Sequence, residues 1–126
     1  MKSLIVAVLI AVTIIFVGIY STEKLNDMSL YLRDVCEEVG SAIEEDDFQR
    51  AGELTDAMEK FVEDNYNMFA ASIDHNAVDE IELNIKQMQT YIEQHQKADA
   101  LAFGNVLLGL FEHLPEDYKV KIENIL

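Results

Sequence analysis

Two histidine–carboxylate pairs are the residues best equipped for chemistry in this 126-residue chain. His75 and Asp79 stand four apart, and His95 and Asp99 repeat the spacing. On a helix an i, i+4 pair shares one face, and an imidazole beside a carboxylate offers two ligands to a divalent metal. Twenty residues separate the two pairs, about 30 Å along a helix, so they are not expected to meet. The second pair also straddles an expected helix junction. No H-E-x-x-H or di-iron Glu-x-x-His pattern completes either pair, and no EF-hand loop is present. His75 and Asp79 are therefore carried as metal candidates only, and no metal or cofactor is assigned. The plainer expectation is that His75 caps a helix or sits in the core, donating to a carbonyl or an acid. His95 and His113 are placed near helix ends, where the dipole favours a cation.

Acidic pairs recur at Glu44-Glu45, Asp46-Asp47, Asp79-Glu80 and Glu116-Asp117. Acid–base catalysis needs two carboxylates converging on a cleft with displaced pKa values. These pairs fall at helix starts and on polar faces, so no enzyme is expected. Cys36 is the one cysteine, which rules out an intrachain disulfide. Its place beside an apolar seam marks it as a small buried hydrophobe rather than the site of an intermolecular bridge. Met28, Met58, Met68 and Met88 read as core filler. The chain carries 24 acidic and 9 basic residues, a formal charge of −15, with every acid beyond Tyr20. That excludes nucleic acid as a partner, because phosphate binding needs a basic surface. It also argues against the domain as a whole lying on an anionic membrane.

These residues must be positioned by what precedes and surrounds them. Leu4–Tyr20 is seventeen residues without a charge. As a helix it spans about 26 Å, within the range for a membrane crossing. Lys2 and the amino terminus put positive charge on the short side, and Tyr20 suits the membrane interface. The apolar run is longer than that of a cleaved signal peptide, and no small-x-small site follows it. The expectation is an uncleaved signal anchor over residues 1–21, with the N-terminus cytoplasmic. Residues 22–126 then form one extracytoplasmic acidic helical bundle.

The fold expected is all-α. Neither proline nor glycine interrupts Ile19–Val39, so the membrane helix should run on to about Glu44 as one rod. Leu25, Met28, Leu32, Val35, Val39 and Ile43 draw a single stripe along it. Asp46 and Gln49 resemble a capping box, opening a second helix over about Asp47–Met68 with Phe48, Ala51, Leu54, Met58, Phe61, Val62 and Met68 inward and Tyr66 at the edge. Asn65 lies near that stripe. Ser72 or Asp74 caps a third helix with the stripe Val78, Ile81, Ile85, Met88, Ile92 and then His95. A fourth, about Lys97–His113, carries Ala98, Leu101, Leu108 and Phe111, with Gly104 and Gly109 allowing close backbone approach. Pro115 is expected to start a short last helix burying Tyr118, Ile122 and Ile125. Short connections make sequential neighbours antiparallel. The architecture is a bundle of four main helices plus a short C-terminal one, continuous with a transmembrane helix.

Several short segments add a resemblance. They are the apolar N-terminus, Asp47-Phe48-Gln49-Arg50-Ala51, Ile73-Asp74-His75 with Asp79-x-Ile81, and Tyr91-Ile92-Glu93. His113-Leu114-Pro115-Glu116 and the terminal Glu123-Asn124-Ile125-Leu126 complete the set. Together they resemble a family of small single-pass membrane-anchored proteins of Gram-positive spore-forming bacteria, catalogued only as a domain of unknown function. The family commonly places tryptophan in the second helix; this chain has none, and Phe48 and the Asn65-Tyr66 region take those places. The resemblance implies location and architecture and brings no activity.

The function expected is a membrane-anchored interaction or scaffold module that docks a protein partner or a second copy of itself. The alternative is a small-molecule or divalent-cation sensing bundle. With about three residues before the apolar run, such a sensor would need a separate signalling partner.

Overall fold

The computed structural model describes residues 1–125, with all side chains except those of Ser21, Thr22, Ser72 and residues 115–125. Five helices follow one another: Lys2–Glu44 (α1), Phe48–Asp64 (α2), Tyr66–Ser72 (α3), His75–Glu93 (α4) and Lys97–Ile125 (α5). No strand occurs among the described residues. The second half of α1 packs on α2 and α5, and α4 packs on the same two helices. The four long helices thus form an antiparallel ring in the order α1, α2, α4, α5, with the short α3 bridging α2 and α4.

α1 is one unbroken helix of 43 residues in two physical regimes. Its first part is apolar on every side, and the large side chains from Leu4 to Tyr20 are exposed, from 46 % at Val12 to 71 % at Phe16. It is the one described helix long and apolar enough to cross a membrane, and none of that window is buried by the protein itself. Thr13 satisfies its hydroxyl on the Leu9 carbonyl at 2.8 Å, so the stretch presents little free polarity. From Leu25 onward one apolar stripe turns inward: Leu25, Met28, Leu32, Cys36, Val39 and Ile43 are buried, while Leu30 and Tyr31 stay exposed off it. α4 answers with Val78, Ile81, Ile85, Met88 and Ile92, all buried at the expected spacing.

The departures from the sequence expectation each have a local cause. The expected second helix breaks at Asn65, which ends α2 and begins α3. The Asn65 amide donates to the Phe61 carbonyl at 2.8 Å, competing there with the backbone ladder. The short extra helix is therefore α3, in mid-chain, and not a separate C-terminal one: α5 runs through Pro115 without interruption. Proline has no N–H for the carbonyl four residues back, which is that of Phe111. The buried Ser29 hydroxyl of α1 donates to this carbonyl instead. A side chain from the neighbouring helix thus repairs the proline defect. The burial expected for Tyr118, Ile122 and Ile125 lies outside the described side chains. The inward stripe of α5 is Ala100, Leu107, Phe111 and Leu114, with Leu101 and Leu108 half-buried and Ala98 exposed. Gly104 does sit close to a neighbour, since a Cβ there would lie 3.6 Å from the Met88 sulfur, whereas the space at Gly109 is open.

Candidate functional site

The end of the bundle farthest from the apolar stretch is made by two turns of the same design. α1 ends with Asp46 at φ 61°, and α4 ends with His95 at φ 54°. Beyond each left-handed residue the chain bonds back to its helix: Asp47 N–H to Ala42 O at 2.8 Å, and Gln96 N–H to Tyr91 O at 2.9 Å. These are Schellman caps, a position where glycine is the usual occupant. Asp46 is thus the C-terminal cap of α1, not the N-cap of α2 as its spacing to Gln49 implied. That role falls one residue later, where the Asp47 carboxylate accepts from Arg50 N–H at 3.1 Å. At α4 the cap is Asp74, which accepts from Asn76 N–H at 3.2 Å.

Side chains tie the two turns together. The Lys97 ammonium donates to the Glu44 carbonyl at 3.0 Å and pairs with Asp46 at 3.2 Å. The His95 ring stacks on Phe48, centroids 4.4 Å apart and planes 7° from parallel. Between α2 and α4, just below these turns, lies an open groove of about 740 Å³. Gly52 and Ile92 form its closest approach, 3.8 Å between the Ile92 side chain and the place of a Gly52 Cβ. Asp46, Asp47, Glu53, Asp56 and Glu93 stand around it; no lysine or arginine lines it, though Lys97 pairs with Asp46 at its rim. Gln89 crosses it to donate to Asp56 at 3.1 Å. The five carboxylates are exposed to water, so the groove can complement positive charge over a partly apolar bottom, and nothing encloses a pair of acids for proton transfer.

The sequence candidates lie elsewhere. His75 opens α4 at its other end, about 30 Å along the helix from His95, and it is exposed together with Asp79. His75 is therefore not a core histidine, and the helix cap expected of it belongs to Asp74. Among the described residues no three of His, Cys, Asp and Glu gather to hold a metal ion. His95 and Asp99 belong to different elements, the turn after α4 and the first turn of α5. Cys36 is buried at the α1–α5 seam with its sulfur 3.3 Å from the Gly104 carbonyl. Burial, and then the nearby Glu37 charge, push its thiol from the usual value near 9 up to about 12. A thiol held protonated inside a helix seam does not suit an intermolecular bridge. Met28, Met58 and Met88 are core residues, as their spacing implied. The groove itself was missed. Its signal was the Glu44–Asp47 run facing the polar Glu93–Gln96 turn across one end of an antiparallel bundle.

Residues 19–125 match the family described as Domain of unknown function (DUF4363), and the chain belongs to that family. No curated protein and no solved structure matches it.

Proposed function

We propose that this member of the DUF4363 family is a membrane-anchored interaction module that presents its acidic groove to a basic segment of a partner protein outside the cytoplasmic membrane. One observation carries the reading. α1 passes without a break from side chains exposed all round, the pattern a bilayer crossing requires, to side chains that form the bundle core. Anchor and domain therefore share one rod, and the groove is held at a set distance from the lipid. Lys2 and the amino terminus favour retention on the cytoplasmic side, which puts the bundle outside. The groove supplies charge complementarity to lysine- or arginine-bearing surfaces, the usual basis of selective encounter.

The test is site-directed cross-linking of the full chain in intact membranes. A photoreactive residue at Gln49, beside the groove, should capture one reproducible neighbour, and the same residue at the exposed Leu83 should not. Glu53→Lys with Asp56→Lys should abolish the capture while leaving the chain in the membrane. A neighbour captured equally from both positions, or unaffected by charge reversal, would refute the groove. A chain cut near Ser21 and released would refute the anchor.

A further inference from the structure

The acidic groove is a slot with two closed ends. Along α2, Phe48, Gly52 and Asp56 stand four apart and form one row on the side turned toward α4. At the upper end the Phe48 ring stacks on His95, centroids 4.4 Å apart. About two helical turns on, a rise of about 12 Å, the Asp56 carboxylate accepts from Gln89 at 3.1 Å. Between these closures the row lacks a side chain, because its middle member is Gly52. The facing residue of α4 is Ile92, whose side chain lies 3.8 Å from the place of a Gly52 Cβ.

The fold does not require that glycine. Gly52 holds no left-handed backbone conformation. A separation of 3.8 Å is an ordinary van der Waals contact, so α2 and α4 would pack as closely around alanine. Inside a helix glycine lowers stability relative to alanine. What its missing side chain does is leave the bottom of the slot open. Each bottom residue is followed by an acid, Glu53 after Gly52 and Glu93 after Ile92, and both acids line the groove and are exposed. Lys97 is engaged at the rim by Asp46 and the Glu44 carbonyl and does not line the slot. An apolar bottom with a carboxylate on each wall matches one kind of side chain, a cation carried on a three- or four-carbon stem.

We propose that the slot takes a single lysine or arginine side chain of the partner, its aliphatic stem laid over Gly52 and Ile92 and its charged head held by Glu53 and Glu93. The acids attract any basic surface, whereas the gap at Gly52 favours a charge on a long stem over one on a short stem. Gly52 is thus the residue that sets specificity. The proposal rests on the reading of the groove as the partner's docking place, and the test keeps the two separable.

Capped tripeptides probe the full chain in phosphatidylcholine nanodiscs, each with glycine on either side of the test residue. The test residues are arginine, lysine, norleucine (the stem without charge) and diaminopropionic acid (the charge on a one-carbon stem). The methyl resonances of Ile92 report binding, and titration gives Kd. The arginine and lysine peptides should shift Ile92. The other two should each bind at least about fivefold more weakly, for want of the charge-assisted bond or of the buried methylenes. Gly52→Leu fills the gap and should weaken the lysine and arginine peptides at least about tenfold, with a Tm at or above that of the parent. If Gly52→Leu fails to fold, Gly52→Ala meets only an ordinary contact and should weaken both peptides about threefold. Lysine binding that survives the Gly52 substitution, or is matched by diaminopropionic acid, but is lost in Glu53→Lys with Asp56→Lys overturns the slot and leaves the acidic groove standing. No shift of Ile92 with any charged peptide, or norleucine binding as tightly as lysine, overturns both.

Discussion

The two halves of α1 share a helix but not a pattern of exposure. Around Ile10 the large side chains are exposed on every side, while around Leu32 a single stripe is buried. Both halves are rich in aliphatic residues; they differ in how those residues are distributed round the circumference. A stripe fits a protein neighbour, and an apolar full circumference is the pattern that a membrane crossing requires. The junction between them is short: the last residue of the apolar stretch is Tyr20 and the buried stripe begins at Leu25.

The sharpest way to break this contrast is to cut the same kind of side chain in each half. Leu32→Ala should destabilise the bundle by about 2–5 kcal/mol, the usual cost of emptying a buried leucine site. Ile10→Ala should change bundle stability by less than about 0.5 kcal/mol, as expected away from the packed core. Denaturant unfolding of the full chain in lipid nanodiscs checks both. Equal effects would mean that the apolar half packs on protein.

Next in size is the polar link at the base of the seam. Ser29→Ala strips the Phe111 carbonyl of the donor that replaces the missing proline N–H, at an expected cost of about 1–3 kcal/mol. Pro115→Ala restores a backbone donor to the same carbonyl. In that background Ser29→Ala should therefore cost distinctly less, and the double-mutant cycle measures the coupling. Additive effects would dissociate Ser29 from the proline.

Cys36 tests the seam by pH. Its folded thiol titrates near 12, and the unfolded one near the ordinary value of 9. Above pH 9 the unfolded chain loses its proton first, so the folded state binds more protons and stability falls as pH rises. The contribution is intact below pH 9 and lost on the way to 12, at up to about 1.4 kcal/mol per pH unit. Cys36→Ala should flatten that alkaline slope relative to the parent chain. Maleimide labelling of the parent at pH 8 should wait for unfolding.

Much of this architecture was legible because two helices carry a single clean stripe. Leu25 to Ile43 and Val78 to Ile92 have mostly polar opposite faces, interrupted by the exposed Leu30 and Leu83, so their periods admit one reading. α5 was harder for a physical reason: Ala100–Phe111 is apolar over most of its circumference, with Asn105 its clearest polar break, so Phe111 was placed correctly while Leu101 and Leu108 were chosen beside the buried Ala100 and Leu107. The break at Asn65 and the continuity through Pro115 were misread from the same source. Each depends on a side-chain hydrogen bond, one to the local backbone and one from a distant helix, and intrinsic propensity contains neither. The candidate site was the least legible part. His75 and Asp79 had the right chemistry at the right spacing, but spacing along one helix cannot say whether a third ligand arrives from another. The groove at the opposite end is composed by two turns that lie some fifty residues apart in sequence.

Those turns offer the smallest effect and the finest contrast. Asp46 and His95 both hold a left-handed backbone conformation that glycine adopts freely and other residues adopt at a cost of about 1 kcal/mol. Substitution by glycine removes that cost at either position, but the side chains lost are unequal. Asp46 forms an ion pair with Lys97 in which both partners are well exposed, and such pairs contribute little. Lys97 also keeps its bond to the Glu44 carbonyl. Asp46→Gly should therefore stabilise the bundle by about 1 kcal/mol. His95→Gly gains the same backbone term and loses a parallel stack on Phe48, worth about 0.5–1.5 kcal/mol, so its net effect should be near zero. Unfolding both variants beside the parent measures the difference directly. Equal gains would show that the Phe48–His95 stack adds nothing to stability. A net loss at His95 would show that the stack outweighs the strain it imposes, and that the rim of the groove is held in place by its aromatic pair.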